Sequence, residues 1–408
     1  MKLQQQAVTR ETWKVEEAAL VELTDKIIAA AITDNASDIH IEPSAQGTKV
    51  RFRIDGVMHD VLSLPRNVHD PLVTRFKILA DLDTANRRSL QMGKVFLKHK
   101  GREYDVRETV LPAVLGERIT IRIWGEEHAR VRLDQLGFSR ADGERLERCL
   151  RAPCGLLVFS GPTGCGKTTV MHAAMLHLAS PEKVLMSIED PVEIRLPGVT
   201  QMSVNKKAGV SYPDALRGIM RSDPDIVMVG DVPDDETVNA ALQMAITGHL
   251  VTTQLHANDA ALAIERLIHM GVDPFLLSEG LLMVSSQRLA RRICSECKEP
   301  ADVAPEVIKE FVRLAMEGGM AWPGGTPTFY QGKGCDRCLR TGYYSRTGIY
   351  ELMVIDRALA GLVRTGAEPS KIRDAAIRQG MTTMFADGMA KAIAGETTVQ
   401  EVMRVAHS

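Results

Sequence analysis

A glycine-rich turn between an apolar run and a helix-prone segment constrains the fold of this chain most. The apolar residues 155–159 lead into SGPTGCGKTT, which contains the pattern G-x-x-x-x-G-K-T. In such a turn, glycines let backbone N–H groups surround a polyphosphate, and the following helix N-terminus adds its positive end. Lys167 is predicted to reach the β- and γ-phosphates and the Thr168 hydroxyl to bind Mg²⁺. We therefore expect a loop that binds a nucleoside triphosphate. Its expected contact residues are Gly161, Pro162, Thr163, Gly164, Cys165, Gly166, Lys167, Thr168 and Thr169.

From residue 131 the sequence alternates between short apolar runs and helix-prone segments, which is typical of an α/β domain. Four runs end in polar side chains; they lie at residues 156–159, 184–188, 226–229 and 250–253. Open α/β sheets bind ligands beyond the carboxyl ends of their strands, so we predict one nucleotide-hydrolysis site at that edge. The polar residues expected there are Glu189, Asp190, Glu193, Asp231, His249 and His256.

The segment before residue 131 has a different pattern. Residues 11–32 and 68–82 have helical spacing, and the alternating runs between and after them predict strands, with a hairpin turn at Asp55-Gly56. This mixture predicts a compact α+β domain. Its outward strand positions carry arginines, which are either solvated or placed to reach a nucleotide held by a neighbouring domain or subunit. These arginines are Arg102, Arg107, Arg118 and Arg122.

Four of the seven cysteines form two C-x-x-C pairs, Cys294/Cys297 and Cys335/Cys338. Each pair can present two thiolates to one ion, and two pairs complete the tetrahedral sulfur shell that structural Zn²⁺ prefers. Redox pairs or unliganded thiols are the alternatives. The segment between the two pairs must fold as an insertion that returns the chain to the site. Residues 305–318 within it are predicted to be helical. Helices are also predicted for residues 261–292 and for the tail from residue 355, where glycines such as Gly388 are expected to break them.

Bulk composition limits the possible partners. The net charge of -2 and the 4% aromatic content give no indication of nucleic-acid binding. Apolar runs stay below the roughly 18 residues of a membrane span, so we expect a cytoplasmic protein with at most peripheral membrane contact.

These motifs, in this order, carry a family resemblance over nearly the whole chain. Further matching motifs are SDIHIEP at 37–43, GER at 116–118, residues 216–225, TGHLV at 247–251, LHANDA at 255–260 and QRLA at 287–290. The chain resembles the type II secretion and type IV pilus assembly ATPases of the GspE/PulE/PilB kind. The resemblance implies a RecA-like P-loop core preceded by a small PAS-like α+β domain, a tetracysteine zinc subdomain and a helical C-terminal part. The corresponding boundaries are 1–10 (polar tail), 11–130, 131–292, 293–345 and 346–408.

The resemblance further implies a homohexameric ring at the cytoplasmic face of the inner membrane. There, ATP hydrolysis would drive an inner-membrane platform protein to add pilin or pseudopilin subunits. We expect the additional N-terminal domain of the family to be largely missing from this sequence. The family pattern assigns Glu189, Asp190 and Glu193 to an acidic box, and His249 and His256 to the γ-phosphate side. The candidate arginine fingers, which would complete the nucleotide site from the small domain, are Arg107, Arg122 and then Arg118.

One motif departs from the family pattern. After the third strand the family has Gly-Glu-x-Arg-Asp, with the glutamate polarising the attacking water, whereas residues 230–234 are GDVPD. Asp231 keeps the charge but is one methylene shorter, and Pro233 removes a guanidinium. An ATP-binding but weakly hydrolysing paralogue that regulates or scaffolds such a machine therefore remains as an alternative to the motor. A RecA-like nucleic-acid motor is a second alternative, because helicases share the RecA-like core.

Overall fold

The computed structural model describes residues 17–125, 131–322 and 324–406. The chain divides into two compact units, Met1–Glu126 and Glu127–Ser408. Each unit has a hydrophobic core of its own. In the described ranges no helix is both long and apolar enough to cross a membrane.

The first unit is an antiparallel six-stranded sheet with two helices on one face. The strand order is β3-β2-β1-β6-β5-β4. The strands are β1 (Ala36–Ser44), β2 (Gly47–Ile54), β3 (Val57–Leu64), β4 (Gln91–His99), β5 (Arg102–Ala113) and β6 (Gly116–Gly125). The helices are α1 (Glu17–Thr33) and α2 (Arg66–Leu79), close to their predicted positions, although residues 11–16 of the predicted first helix lie outside the described ranges.

Alternation along these strands separates a core face from a polar face. Ile39, Ile41 and Phe52 are fully buried in the core that α1 and α2 share with the sheet. The β2–β3 hairpin closes at Asp55 and Gly56, whose φ angles of 49° and 83° both lie in the left-handed region. This is the two-residue turn that the sequence predicts.

The second unit is built on a seven-stranded sheet in the order β15-β12-β7-β11-β10-β8-β9. Neighbours pair in parallel except β12 and β15, which pair antiparallel. The strands are β7 (Gly155–Ser160), β8 (Leu185–Glu189), β9 (Val199–Ser203), β10 (Ile226–Val229), β11 (Leu250–Leu255), β12 (Leu281–Ile293) and β15 (Tyr343–Val354). The helix α3 (Arg140–Leu150) precedes these strands, and the helices between them are α4 (Lys167–Leu178), α5 (Tyr212–Ile219), α6 (Asp235–Ile246), α7 (Ala260–His269) and α8 (Pro274–Gly280).

The four predicted strand runs of this unit are present as β7, β8, β10 and β11. They are buried on both faces, as parallel strands between helical layers are. Because the sheet order places β11 between β7 and β10, the carboxyl ends of these strands lie side by side.

The helical prediction for residues 261–292 is wrong at its end, where β12 lies. Its core residues Met283 and Val284 are adjacent in sequence and both fully buried, because β12 is covered on both faces. Such a strand does not alternate, so periodicity cannot distinguish it from a buried helix. The next strand in the sheet, β15, continues across the boundary drawn at 345–346.

The remaining elements surround the cysteine pairs and form the C-terminal part. They are β13 (Lys298–Pro300), α9 (Pro305–Glu317), β14 (Tyr330–Gly332), α10 (Arg357–Arg364), α11 (Pro369–Arg378), α12 (Met384–Ile393) and α13 (Val399–Ala406). The predicted helix at residues 305–318 is confirmed by α9. Gly388 lies inside α12 rather than ending it, because a Cβ there would lie 2.8 Å from Val402 on α13. The glycine allows the two helices to approach closely.

Candidate active site

The glycine-rich turn lies between β7 and α4. Gly161 directly after β7 has a φ of 143°, and Gly166 directly before α4 has a φ of 90°. Both values favour glycine, and a Cβ on Gly161 would also lie 2.6 Å from the sulfur of Cys165. Lys167 is 5% exposed and donates from Nζ to the carbonyl oxygens of Gly161 at 2.8 Å and Pro162 at 3.0 Å. The turn therefore holds the lysine ammonium group against its own backbone.

The acidic residues predicted at the sheet edge line one cavity with Thr168. The cavity has a volume of about 370 Å³. Its polar lining includes Thr168, Glu189, Asp190, Glu193, Ser211, Tyr212, Asp231, Asp234 and Gln254. Carboxylates from the ends of β8 and β10 thus face the first turn of α4, where the sequence places the Mg²⁺ ligand. Asp234 and Gln254 were not among the predicted site residues.

Glu189 is the most firmly held of these carboxylates. Its Oε1 accepts hydrogen bonds from Ser187 Oγ at 2.7 Å and Gln201 Nε2 at 2.9 Å, and its Oε2 lies 3.2 Å from His172 Nε2. Burial raises the pKa of Glu189, but the hydrogen bonds of His172, Gln201 and Ser187 outweigh burial and lower it overall. Glu189 is therefore an ionised carboxylate fixed in position. The role of His172 was missed, because it lies on α4, 17 positions from Glu189, and no motif marks it.

Asp231 lies beside Lys167 at the end of β10. Its Oδ1 accepts the backbone N–H of Val232 at 3.0 Å, so part of the short carboxylate is bound to its own loop. Burial lowers the pKa of Lys167, and the charges of Cys165 and Asp231 oppose that shift. The Asp231 side chain and the lysine ammonium group are therefore close enough to influence each other.

His256 lies beside the phosphate-binding turn. It lines a second cavity of about 690 Å³ together with Pro162, Thr163 and Arg266. The N–H of Gly161 donates to the carbonyl of Leu255 at 3.2 Å, which ties the turn to the residue before His256. Burial lowers the pKa of His256, and the positive charge of Lys167 lowers it further. The imidazole is thus held towards its neutral form.

The loop that carries His256 is fixed from several elements. Ser160 Oγ donates to the carbonyl of Ala257 at 3.2 Å. Arg288 on β12 donates to the carbonyl and the side chain of Asn258 at 3.3 and 3.2 Å. Glu351 on β15 accepts the N–H of Ala260, the first residue of α7, at 2.9 Å. Arg288 belongs to the QRLA motif at residues 287–290, whereas no sequence motif includes Glu351.

His249 does not lie at this edge, which corrects the prediction. It precedes β11, its backbone carbonyl accepts the N–H of Gly155 at the start of β7, and its Nδ1 lies 3.0 Å from the carbonyl oxygen of Met244. His249 is therefore at the amino ends of the strands, away from the turn that follows Ser160. The physical reason is its position before, rather than after, the apolar run.

Three of the four predicted arginines, Arg107, Arg118 and Arg122, lie together on the polar face of the first unit. Alternation along β5 instead puts Arg102 on the same face as the buried Val106, which corrects its predicted outward position. Register pairs Arg107 with Arg122 across β5 and β6 and Arg122 with Asp38 on β1. Arg122 Nε donates to Asp38 Oδ1 at 3.0 Å, and Arg118 lies 2.9 Å from a carboxylate oxygen of Glu42. The Arg118 and Arg122 side chains remain 41% and 56% exposed, so this face presents guanidinium groups to its surroundings.

The four paired cysteines converge on one point. Their Sγ atoms lie within 4.8 Å of one another. Three of the separations are 3.8 Å (Cys294 to Cys335), 3.9 Å (Cys297 to Cys338) and 3.7 Å (Cys335 to Cys338). A tetrahedron with Zn–S bonds of about 2.3 Å has edges of about 3.8 Å, so the arrangement fits a zinc ion. The N–H of Gly334 points at Cys297 Sγ at 3.3 Å, as expected where a thiolate needs support.

The turn with its lysine, the acidic cavity and the histidine beyond it define a P-loop ATPase. The chain matches the family model described as "Type II/IV secretion system protein" over residues 14–404 and belongs to that family. The family expected from the sequence motifs is thereby confirmed.

Relatives in sequence support the assignment, and a solved structure shows the same fold. The chain is 40% identical over 392 residues to the type II secretion system protein E of Pseudomonas aeruginosa, covering 96% of this chain and 76% of that protein. It is 38% identical over 390 residues to the type IV pilus assembly ATPase PilB of Thermus thermophilus, covering 96% of this chain and 43% of that protein. The ATPase DotB of Legionella pneumophila has the same fold, with a TM-score of 0.65, 18% identity and coverage of 94% of this chain and 95% of that chain.

Proposed function

We propose that this chain is a motor that couples ATP hydrolysis to assembly of a pilus or pseudopilus, as in type IV pilus and type II secretion machines. The observation that most directly supports this proposal is the acidic cavity beside Thr168 at the end of the phosphate-binding turn. Relatives named for secretion and for pilus assembly, each matched over 96% of this chain, supply the context. Lys167 would hold the β- and γ-phosphates and Asp231 would polarise the attacking water.

Two metal ions belong to this proposal. Thr168 would bind the Mg²⁺ that accompanies ATP, with Asp190 and Glu193 completing an acidic box around Glu189. Mg²⁺ would neutralise phosphate charge, and the fixed carboxylates would orient it and its waters. Zn²⁺ would be held by Cys294, Cys297, Cys335 and Cys338 in a structural role, because four thiolates leave no open ligand position.

The finer architecture also belongs to the proposal. We assign the sheet of the second unit to a RecA-like core and the first unit to a PAS-like domain, with the divisions at 130, 292 and 345 as expected from the sequence. The family resemblance supports a homohexamer at the cytoplasmic face of the inner membrane, contacting a platform protein without binding nucleic acid. Within such a ring, Arg107, Arg122 and Arg118 would complete the nucleotide site from the first unit.

A weakly hydrolysing paralogue that regulates or scaffolds the machine is the second candidate. The observation in its favour is Asp231, whose carboxylate is short and accepts the N–H of Val232.

Replacement of the chromosomal copy in the source cell tests the motor. Lys167→Ala should abolish surface pili or secretion of the exported protein, because the phosphates lose their ammonium partner. Gln243→Ala, a change at an exposed position of α6, is the matched control and should leave both intact. Normal assembly by the Lys167→Ala strain would contradict the motor and leave an ATP-independent role.

A further inference from the structure

Gln254 occupies the sheet position between the phosphate-binding turn and Asp231. It is the fifth residue of β11, opposite Phe159 of β7, while its predecessor Thr253 is opposite Val229 of β10. β11 is the strand between β7 and β10, so Gln254 lies between the two strand ends that supply the site. Neither the motifs nor the family pattern assigns it a role.

The Gln254 side chain faces the acidic cavity. Alternation puts it on the same sheet face as Thr252, which is opposite Met228. Met228, Gln254, Thr168 and Asp231 all line that cavity. The carboxamide is therefore aimed at the space between the expected Mg²⁺ ligand and the expected water-polarising acid.

The amide of Gln254 is also available for bonding. Across the ranges that the structure describes, its side chain makes no hydrogen bond, whereas the hydroxyl of the neighbouring Thr253 donates to the carbonyl of Val229 at 3.0 Å. Asp231 is partly engaged by the N–H of Val232. A site in which the acid is short and partly occupied thus contains an unpaired carboxamide beside it.

We propose that Gln254 is a catalytic residue that positions the attacking water together with Asp231. A carboxamide oxygen can accept a hydrogen bond from the water while its NH₂ group donates one to a γ-phosphate oxygen, which fixes the water in line with the bond that breaks. Glutamine fulfils this role in GTPases. Asp231 accepts the second hydrogen bond of this water and takes up that proton as the water attacks. The longer glutamine side chain compensates for the methylene that Asp231 lacks relative to a glutamate. The role rests on the proposed hydrolytic function.

The first measurement is steady-state ATP hydrolysis by the full chain, paired with the affinity for a fluorescent ATP analogue. Gln254→Met keeps the length and removes the amide; kcat should fall on the order of 10-fold or more, while affinity stays within about twofold. Gln254→Ala should show the same separation if methionine packs poorly. Gln243→Met, at the exposed site on α6, is the matched control and should retain the wild-type kcat.

The second measurement repeats Gln254→Met in the Asp231→Glu background. The loss should shrink there to less than about one third of the wild-type effect, because the longer acid reaches the water itself. An unchanged kcat for Gln254→Met, a parallel loss of affinity, or an equal loss in both backgrounds would each overturn the role. A wild-type chain that binds ATP without hydrolysing it would overturn the proposed function as well, so the two failures are distinguishable.

Discussion

At the scale of single residues, the role proposed for Asp231 predicts that the length of its side chain limits the rate of ATP hydrolysis. Its carboxylate is about 1.5 Å shorter in reach than a glutamate, and its Oδ1 accepts the N–H of Val232. Asp231→Glu should raise kcat severalfold, since a displacement of about 1 Å can cost on the order of 100-fold in rate. The affinity for ATP should stay nearly unchanged. Steady-state assays check this, and an equal or lower kcat would show that the loop already places the aspartate correctly.

Individual residues also show which parts of the candidate site can be predicted from sequence patterns and which cannot. The turn around Lys167 could be predicted because its backbone geometry requires glycines at fixed spacing. His249 was misplaced because a motif gives sequence proximity, not the end of the strand on which a side chain lies. His172 and Glu351 could not be predicted, because their partners come from other elements and their pairing depends on how the sheet is assembled.

At the scale of elements, the two C-x-x-C pairs form a four-thiolate site that should bind one Zn²⁺ per chain. Cys294→Ser should weaken zinc retention against a chelator by more than the roughly 10- to 100-fold that follows the loss of a mere supporting hydrogen bond. Binding of ATP at the P-loop should be unaffected. Cys154→Ser, at a cysteine outside the cluster, is the matched control. The zinc content of the purified chain, measured by metal analysis, tests this prediction. A wild-type protein without stoichiometric zinc would contradict the zinc site.

Because the carboxyl of Glu351 is buried where β15 meets α7, we expect the stability of the chain to depend on pH. Burial raises the pKa of this carboxyl from 4.5 to about 7, against the hydrogen bond from the N–H of Ala260. The folded chain then binds the proton more tightly than the unfolded chain, so the free energy of unfolding falls as pH rises from 4.5 to about 7. Glu351→Gln keeps an oxygen that can accept the hydrogen bond from Ala260, and it removes the fall in the free energy of unfolding with rising pH.

The variant should therefore be more stable than wild type at pH 8 by on the order of 1 to 3 kcal/mol, and similar at pH 5. Thermal unfolding at the two pH values measures the difference. An identical difference in Tm at both would show that Glu351 is ionised in the folded chain without penalty.

Elements differ in how well the sequence predicts them. The strands β7, β8, β10 and β11 were predictable because each is a short apolar run that ends in polar residues. The strand β12 was not, because a strand buried on both faces lacks the alternation that identifies a half-exposed one. Its position beside β7 became visible only with the sheet order.

At the scale of the whole molecule, the proposed arginine fingers predict that subunits complement one another. Lys167→Ala and Arg122→Ala chains should each be inactive alone, and their equimolar mixture should regain about a quarter of the wild-type rate in a ring with heterologous contacts. The reason is that one chain supplies the intact phosphate-binding turn and its neighbour the intact arginine. ATP hydrolysis after subunit exchange provides the measurement.

Mixing Lys167→Ala with Asp231→Asn is the matched control for this experiment. Both changes lie in the second unit, so neither chain can supply an intact set of residues and no activity should return. Recovery in the control, or none in the test mixture, would exclude an arginine contributed from a neighbouring subunit.

The P-loop site of this chain is expected to hydrolyse ATP. The most direct test is the steady-state rate of phosphate release by the purified full chain, with Mg²⁺ and with excess EDTA, beside Lys167→Ala. We expect turnover that requires both Mg²⁺ and Lys167. A wild-type rate no higher than that of Lys167→Ala would contradict ATP hydrolysis at this site and favour an ATP-binding scaffold.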